Sequence, residues 1–255
     1  IFVPREQRLD PRRIQLRALP TMFTRNKPYR IFIAAYLCWG LGAGIWAQTT
    51  YLYVDSYLGI PEMFPFLLAG TFIVRLLSLP FWSWLVKRTE KKTIWFIGVL
   101  GLASTFPLIA FVAPGDSAFV PLLVLSMVIG LFDAAVMMLP FSMIGDIADY
   151  DTYKNGYDRT ASFEALQSLM TKIVLAVGGG GGFILAGLFG FQAGAENSAL
   201  AETGLKLTAL GLPAVAFVLA GLIIRFHPLD RQRHAEIIAA QKARQADEAP
   251  DGPML

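Results

Sequence analysis

The sequence predicts an all-α membrane protein with six transmembrane helices, and three observations support this fold class. The 255-residue chain is 55% hydrophobic, and its mean hydropathy is +0.52. Charged residues make up only 16% of the chain, whereas about a quarter is usual in a soluble domain. The apolar residues also form six long blocks instead of short alternating runs, so lipid is their natural solvent.

Each apolar block is long enough to cross a bilayer as a helix, which takes about 20 residues. Buried strands are excluded because they run about 4–8 residues. The predicted spans are residues 31–54, 64–86, 93–113, 118–144, 161–191 and 205–226. The glycine run at residues 178–182 lies inside the fifth span, where it predicts a flexible or kinked helix.

Basic residues alternate between successive connections, which predicts the orientation of the chain. The first, third, fifth and last polar segments are rich in Lys and Arg, whereas the other three contain only Lys206. The positive-inside rule therefore predicts an integral protein of the bacterial inner membrane with both termini in the cytoplasm. On this interpretation residues 1–30 are a cytoplasmic basic linker, residues 31–227 the six-helix bundle, and residues 228–255 a cytoplasmic tail.

The polar tail contains both histidines, His227 and His234, which we expect to be solvated. Apolar residues are interspersed among the tail's charges. This pattern is compatible with a short helix lying on the membrane surface and equally with a disordered tail.

Three ionisable residues lie well inside apolar spans: Arg75, Asp133 and Lys172. Each costs about 2.5–3.5 kcal/mol at the centre of an inserted helix unless it faces a cavity or another charge. They either line a polar pathway for substrate or coupling ion, or form a structural ion pair, and a long side chain such as Arg75 can also reach an interface. Asp133 is the one deep carboxylate, which makes it the candidate for the proton-sensitive, ion-coupling group.

A polar stripe precedes the glycine run and consists of Gln167, Ser168, Thr171 and Lys172. Helical periodicity places these side chains on one face. An amide, two hydroxyls and an ammonium can bind a hydroxylated ligand. Hydroxyl-mediated contacts between helices would explain the serine and the threonine but not the lysine.

Enzyme chemistry has little support in this sequence. Cys38 is the only cysteine, so neither a disulfide framework nor a cysteine metal site can form. The glycine run follows no strand and is not a nucleotide-binding fingerprint. We expect no enzymatic activity, no cofactor or metal site, and no nucleic-acid partner.

Three motifs carry a resemblance to a known family. The junction of the fourth and fifth spans reads MIGDIADYDTYKNGYDRTASFEALQSLMTK, with Asp146, Asp149, Tyr150, Arg159 and Lys172 as the distinctive residues. The other two motifs are LPFWSWLVKRTEKK at residues 79–92 and NKPYR at residues 26–30. Together they resemble helices seven to twelve of the glycoside–pentoside–hexuronide:cation symporter family, the melibiose-permease branch of the major facilitator superfamily.

The resemblance implies half of a major facilitator fold, built as two inverted three-helix repeats. It implies a cation-coupled symporter for a small hydrophilic solute such as a sugar or glycoside, driven by H⁺ or Na⁺. The other partners would be membrane lipid and an N-terminal six-helix half, in the same chain or a separate one. More distant relatives carry lysolipids, which is the alternative substrate class.

The resemblance also assigns roles to particular residues. The C-terminal wall of the substrate pocket would contain Gln167, Ser168, Thr171 and Lys172, together with Met137, which stands where the melibiose permease itself has an aromatic sugar platform. That departure argues against melibiose-like substrates. Independently of the resemblance, charges at a cytoplasmic helix end beside a basic loop could form a cytoplasmic gate by pairing with the Lys87–Lys92 region or with the other half, or they could be ordinary solvated loop charges. The predicted gate residues are Asp146, Asp149, Tyr150 and Arg159.

Two other functions compete with symport. The chain could be a non-transporting structural or assembly subunit of a larger membrane complex, in which case Lys172 would be replaceable. A six-helix channel is the third hypothesis, but the sequence contains no loop that resembles a selectivity filter.

Overall fold

The computed structural model describes residues 19–156 and 158–248, and these ranges contain helices and connecting turns but no strand. The α-helices are α1 (Leu19–Arg25), α2 (Lys27–Leu52), α3 (Phe64–Val86), α4 (Lys91–Ala110), α5 (Phe119–Asn155), α6 (Thr160–Leu188), α7 (Ala199–Lys206), α8 (Leu212–Ile224) and α9 (Arg231–Glu248). A π-helical turn, Tyr53–Tyr57, extends α2, and another, Leu207–Gly211, joins α7 to α8. Most of the predicted linker, residues 1–18, and the last residues of the predicted tail, 249–255, lie outside the described residues.

Six helical segments in the described residues are long and apolar enough to cross a membrane, which confirms the predicted number of spans. They are Lys27–Tyr57, Pro61–Val86, Lys91–Ala110, Asp116–Asn155, Thr160–Leu188 and Ala199–Ile224. The last of these consists of α7, the π-helical turn and α8. The glycine run lies within the unbroken helix α6.

The packing of the six spans follows an internal symmetry. The most extensive contacts are those of α2 with α6 and α8, of α5 with α3 and α4, and of α4 with α8. If α2 is exchanged with α5, α3 with α6, and α4 with α8, the same set of helix pairs results. Since each triplet crosses the membrane three times, the second begins on the side opposite to the first. The bundle therefore consists of two inverted three-helix repeats, as predicted.

The fourth span is the clearest correction to the predicted boundaries. The prediction ended it at residue 144, but α5 continues to Asn155. Hydropathy falls after Ile144 because charged and polar residues follow, among them Asp146 and Asp149. No proline stands among them, and Gly145 remains helical. The helix ends where Gly156 adopts a left-handed backbone with φ of 77°, the usual glycine termination.

Helices α2 and α6 approach each other closely, and glycine makes the approach possible. A Cβ atom at Gly178 would lie 2.5 Å from the carbonyl oxygen of Leu41 on α2. A Cβ atom at Gly44 would lie 2.7 Å from the carbonyl oxygen of Leu175 on α6. Part of the glycine run therefore serves backbone-to-backbone packing.

The tail is ordered as α9, which packs against α5. Ile237 is buried, and the Nε2 atom of His234 lies 2.9 Å from a carboxylate oxygen of Asp149. The Arg231 side chain donates to the backbone carbonyls of Val86 and Lys87 at the end of α3. Of the two alternatives for the tail, disorder is therefore wrong for residues 231–248.

The solvated environment expected for His227 is also wrong, because this side chain is only 3% exposed. The Lys92 ammonium donates to the His227 carbonyl over 3.1 Å. Burial, together with the Lys92 charge, lowers the pKa of His227 to about 4. The neutral imidazole is thus the form that the fold accommodates.

Acidification is expected to destabilise the protein through His227. The unfolded chain protonates this residue near its ordinary pKa of 6.5 and the folded chain only near 4. The stabilisation is therefore complete above pH 6.5 and is lost progressively as the pH falls toward 4. Thermal unfolding measured across this window should give a flatter profile for His227→Asn than for the wild type. If the unfolding temperatures of the variant and the wild type ran parallel across this pH range, the lowered pKa of His227 would be contradicted.

Candidate functional site

A cavity of about 420 Å³ lies between the two repeats. Most of its wall is aromatic or aliphatic, and the aromatic side chains are Trp39, Trp46, Phe64, Phe106 and Phe217. Hydrogen-bonding groups are few, and the non-aromatic ones are Thr50, Thr71, Arg75, Ser126 and Asp133. The Thr71 hydroxyl is within hydrogen-bonding distance of the Leu67 and Ser126 carbonyls, so its proton is directed to the backbone.

The ion pair between Arg75 and Asp133 is the main polar feature of this wall. Arg75 lies midway along α3, and Asp133 is presented by α5, which packs along it. The Asp133 side chain is 12% exposed and that of Arg75 is 34% exposed. The Arg75 Nε atom is buried and has no hydrogen-bond partner among residues 22–156 and 158–243, whose side chains the structure describes. The sequence left open a polar pathway or an ion pair, and the structure shows a pair that lines a cavity.

Met137 lies one helical turn after Asp133 on α5 and lines the same cavity. Its side chain is exposed. A flexible thioether at this position adds apolar contact without imposing the fixed geometry of an aromatic ring. Of the residues predicted for substrate binding, Met137 is the one that the structure brings together with Arg75 and Asp133.

The polar stripe of α6 is divided between the inside and the outside of the bundle. Gln167 is buried, whereas Ser168 and Lys172 are exposed. Thr171 donates to the Gln167 carbonyl over 2.8 Å and, with its proton so used, accepts from the Tyr36 hydroxyl over 2.9 Å. None of the four lines the cavity described above, to which α6 contributes Leu175. Their role in substrate binding stays a prediction.

Two predicted gate residues form a charged cluster at the end of the bundle that carries Lys91 and Lys92, which we call the basic end. The Lys91 ammonium lies 2.7 Å from both carboxylate oxygens of Asp146. Asp149 lies beside His234 of α9, whose Nε2 atom is also 3.5 Å from Asp146. The cluster thus joins α4, α5 and α9, so the tail helix is part of this end of the bundle.

Arg159 takes a partner that the sequence reasoning missed. It forms a bidentate pair with Asp151, with both donor–acceptor distances 2.7 Å, and both side chains are buried. The side-chain amide of Asn26 also donates to Asp151 over 3.3 Å, while its oxygen caps α2 by accepting from the Tyr29 amide. This network ties the start of α2 to the α5–α6 junction. The available signals were Asp151 and the helix-capping Asn26, which both lie within motifs that the sequence analysis had singled out.

Tyr150, the fourth predicted gate residue, is partly buried beside this network. The Lys154 ammonium, one turn further along α5, lies 5.4 Å from the centroid of its ring. Such a cation–π contact adds a modest stabilisation. The geometry gives Tyr150 a packing role, and its role in gating stays a prediction.

Comparison with known proteins identifies clear relatives. A family model described as MFS/sugar transport protein matches residues 2–231. An uncharacterized symporter of Synechocystis sp. is 29% identical over 235 residues, covering 86% of this chain and 41% of the relative. The sodium-dependent lysophosphatidylcholine symporter 1 of Gallus gallus is 26% identical over 188 residues, covering 72% of this chain and 35% of the relative. The isoprimeverose transporter of Lactiplantibacillus pentosus is 26% identical over 209 residues, covering 81% of this chain and 43% of the relative. The chain therefore spans about two fifths of the length of these relatives.

Proposed function

The chain belongs to the MFS/sugar transport protein family, and from this premise we propose that it is the C-terminal six-helix half of a cation-coupled symporter. The partner half would supply six further helices, in the same polypeptide or another. The positive-inside distribution supports a cytoplasmic position for the basic end, in a protein of the bacterial inner membrane. The coupling ion is H⁺ or Na⁺, and the protein catalyses no covalent step.

The observation that carries this proposal is a cavity at membrane depth with an ion pair in its wall. Two charges this deep are expensive in lipid, and in membrane proteins such residues mark substrate and ion pathways. Arg75 and Asp133 neutralise each other as an ion pair in the cavity wall. The Arg75 side chain is 34% exposed, so part of it is accessible to a bound solute.

Lys172 supports the proposal that a second half covers this one. It lies 12 residues after the start of α6, so at 1.5 Å per residue it is about 18 Å along the helix, near the middle of a hydrocarbon core of about 30 Å. Its side chain is exposed on the described bundle. An ammonium facing lipid at this depth would be costly, so we propose that this face of α6 borders the substrate pathway between the two halves.

We propose a sugar or glycoside as the first substrate class. A second class, lysolipid, is favoured by a specific observation, since the cavity wall is mainly apolar and offers few hydrogen-bonding groups. A lysolipid would place its acyl chain against the aromatic side chains and its polar end near Arg75 and Asp133. A glycoside would need most of its hydrogen bonds from the stripe on α6 and from the other half.

Uptake into proteoliposomes that contain the full-length transporter tests this function. Labelled glycosides and lysophosphatidylcholine would be supplied separately, each with a Na⁺ gradient, an H⁺ gradient or no gradient. We expect accumulation of one class, driven by one ion and abolished when an ionophore collapses that gradient. Equilibration without accumulation would contradict coupling to a cation. No movement of any solute by well-folded protein would favour the structural-subunit hypothesis.

A further inference from the structure

A second pocket, of about 320 Å³, opens at the basic end and is lined by Lys92, Thr93, Phe96 and Arg225. It lies between the first turns of α4 and the end of α8, two helices that pack against each other. Because these are helix ends, the pocket is at the level of the membrane–water interface. It is separate from the central cavity and shares no lining residue with it.

The pocket contains two cations and no matching anion. Among the side chains that the structure describes, those of residues 22–156 and 158–243, no carboxylate forms an ion pair with Lys92 or Arg225 within 4.0 Å. Lys92 directs one of its three donors to the His227 carbonyl. The Arg225 guanidinium lies 5.4 Å from the centroid of the Phe96 ring, which supports its planar group without neutralising it.

From this arrangement we infer that the pocket between α4 and α8 binds the phosphate of an anionic phospholipid. The lipid would come from the membrane leaflet at the basic end. Basic pockets between transmembrane helices on the cytoplasmic side recognise such head groups. The apolar surface beside the pocket suits the rest of the lipid. Ile97, one turn after Thr93, and Leu222, one turn before Arg225, are exposed, and so is Phe226.

The lipid would neutralise both cations and join α4 and α8 at their ends. Lys92 would contribute a compact charge, and Arg225 the planar fork that matches phosphate oxygens in pairs. Each basic residue close to an anionic head group contributes about 1 kcal/mol, which corresponds to about fivefold in affinity. Removing both charges should therefore reduce the preference for anionic lipid about 25-fold.

Native mass spectrometry of the purified full-length protein with phosphatidylglycerol or phosphatidylcholine tests this site. We expect the wild type to retain phosphatidylglycerol preferentially. Arg225→Gln, a change at an exposed residue, should weaken that preference about fivefold, and Lys92→Gln/Arg225→Gln should remove most of it. The matched control is Lys206→Gln, which deletes the same charge at the opposite end of the bundle, beside the Tyr57 ring.

The outcomes separate the lipid from other anions and do not depend on transport activity. An unchanged preference in Arg225→Gln with an unchanged unfolding temperature would overturn the proposal. An equal loss in Lys206→Gln would overturn it as well, because the effect would then reflect overall charge. Displacement of phosphatidylglycerol by millimolar inorganic phosphate would assign the pocket to free phosphate instead of lipid.

Discussion

Asp133→Asn is expected to destabilise the protein by about 3 kcal/mol, because it removes one partner of a buried ion pair and leaves the other charge uncompensated. Breaking such pairs typically costs about 3–5 kcal/mol. The lower end of that range applies here, since the Arg75 side chain is 34% exposed and opens to the cavity. Transport should be lost together with stability, because an unpaired guanidinium would then stand in the proposed substrate pathway.

Thermal unfolding and uptake of the neutral double variant Arg75→Gln/Asp133→Asn distinguish a structural pair from a functional one. Without either charge the desolvation cost disappears, so stability should return to within about 1 kcal/mol of the wild type. If the pair only stabilises the fold, uptake should return as well. If the pair contacts solute or ion, uptake should stay low in a well-folded protein. Asp116→Asn, a neutralisation at an exposed position, is the matched control. An unchanged unfolding temperature for Asp133→Asn would show that the pair does not stabilise the bundle.

The number and order of the spans could be predicted from the sequence because a hydrocarbon solvent imposes a length and a composition on each helix. The same signal misplaced the end of α5, since hydropathy reports what lipid surrounds and not where a helix stops. Many residues after Ile144 are polar, yet the helix continues to Asn155. The predicted gate residues Asp146 and Asp149 are therefore placed by a helix that extends beyond the span.

Side-chain partners were less accessible to the sequence than the spans. Arg75 and Asp133 could be recognised as costly charges, but their pairing depends on the packing of α3 along α5. His227 has a polar sequence environment, and its burial comes from tertiary packing at the basic end, where Lys92 of α4 contacts its carbonyl. Neither the ion pair nor the burial of His227 can be predicted from the residues that neighbour them in the sequence.

The polar stripe on α6 shows a limit of helical periodicity. Gln167 and Lys172 are five residues apart, which at about 100° per residue separates them by about 140° around the helix. An arc of this width extends beyond one packed face. Gln167 consequently points into the bundle, while Lys172 remains exposed at the surface where we place the other half.

Lys172→Ala is expected to reduce gradient-driven uptake about 10- to 150-fold without a comparable loss of stability. The ammonium is exposed on the described half, so truncating it leaves no cavity and no unpaired buried group there. Loss of one charge-assisted hydrogen bond to solute or to the opposite half would cost about 1.5–3 kcal/mol, which gives the expected range of uptake. Uptake by proteoliposomes and thermal unfolding of the same preparations measure the two effects.

Two matched substitutions make the result for Lys172 specific. Lys206→Ala removes an ammonium at the opposite end from the basic cluster, where it stacks on the Tyr57 ring, and should leave uptake unchanged. Lys172→Arg keeps the charge with a different donor geometry and should retain part of the uptake if charge is what matters. Full uptake by a well-folded Lys172→Ala variant would remove this residue from the pathway. The face of α6 that carries Lys172 would then be a structural interface, because an ammonium at this depth still requires a polar cover.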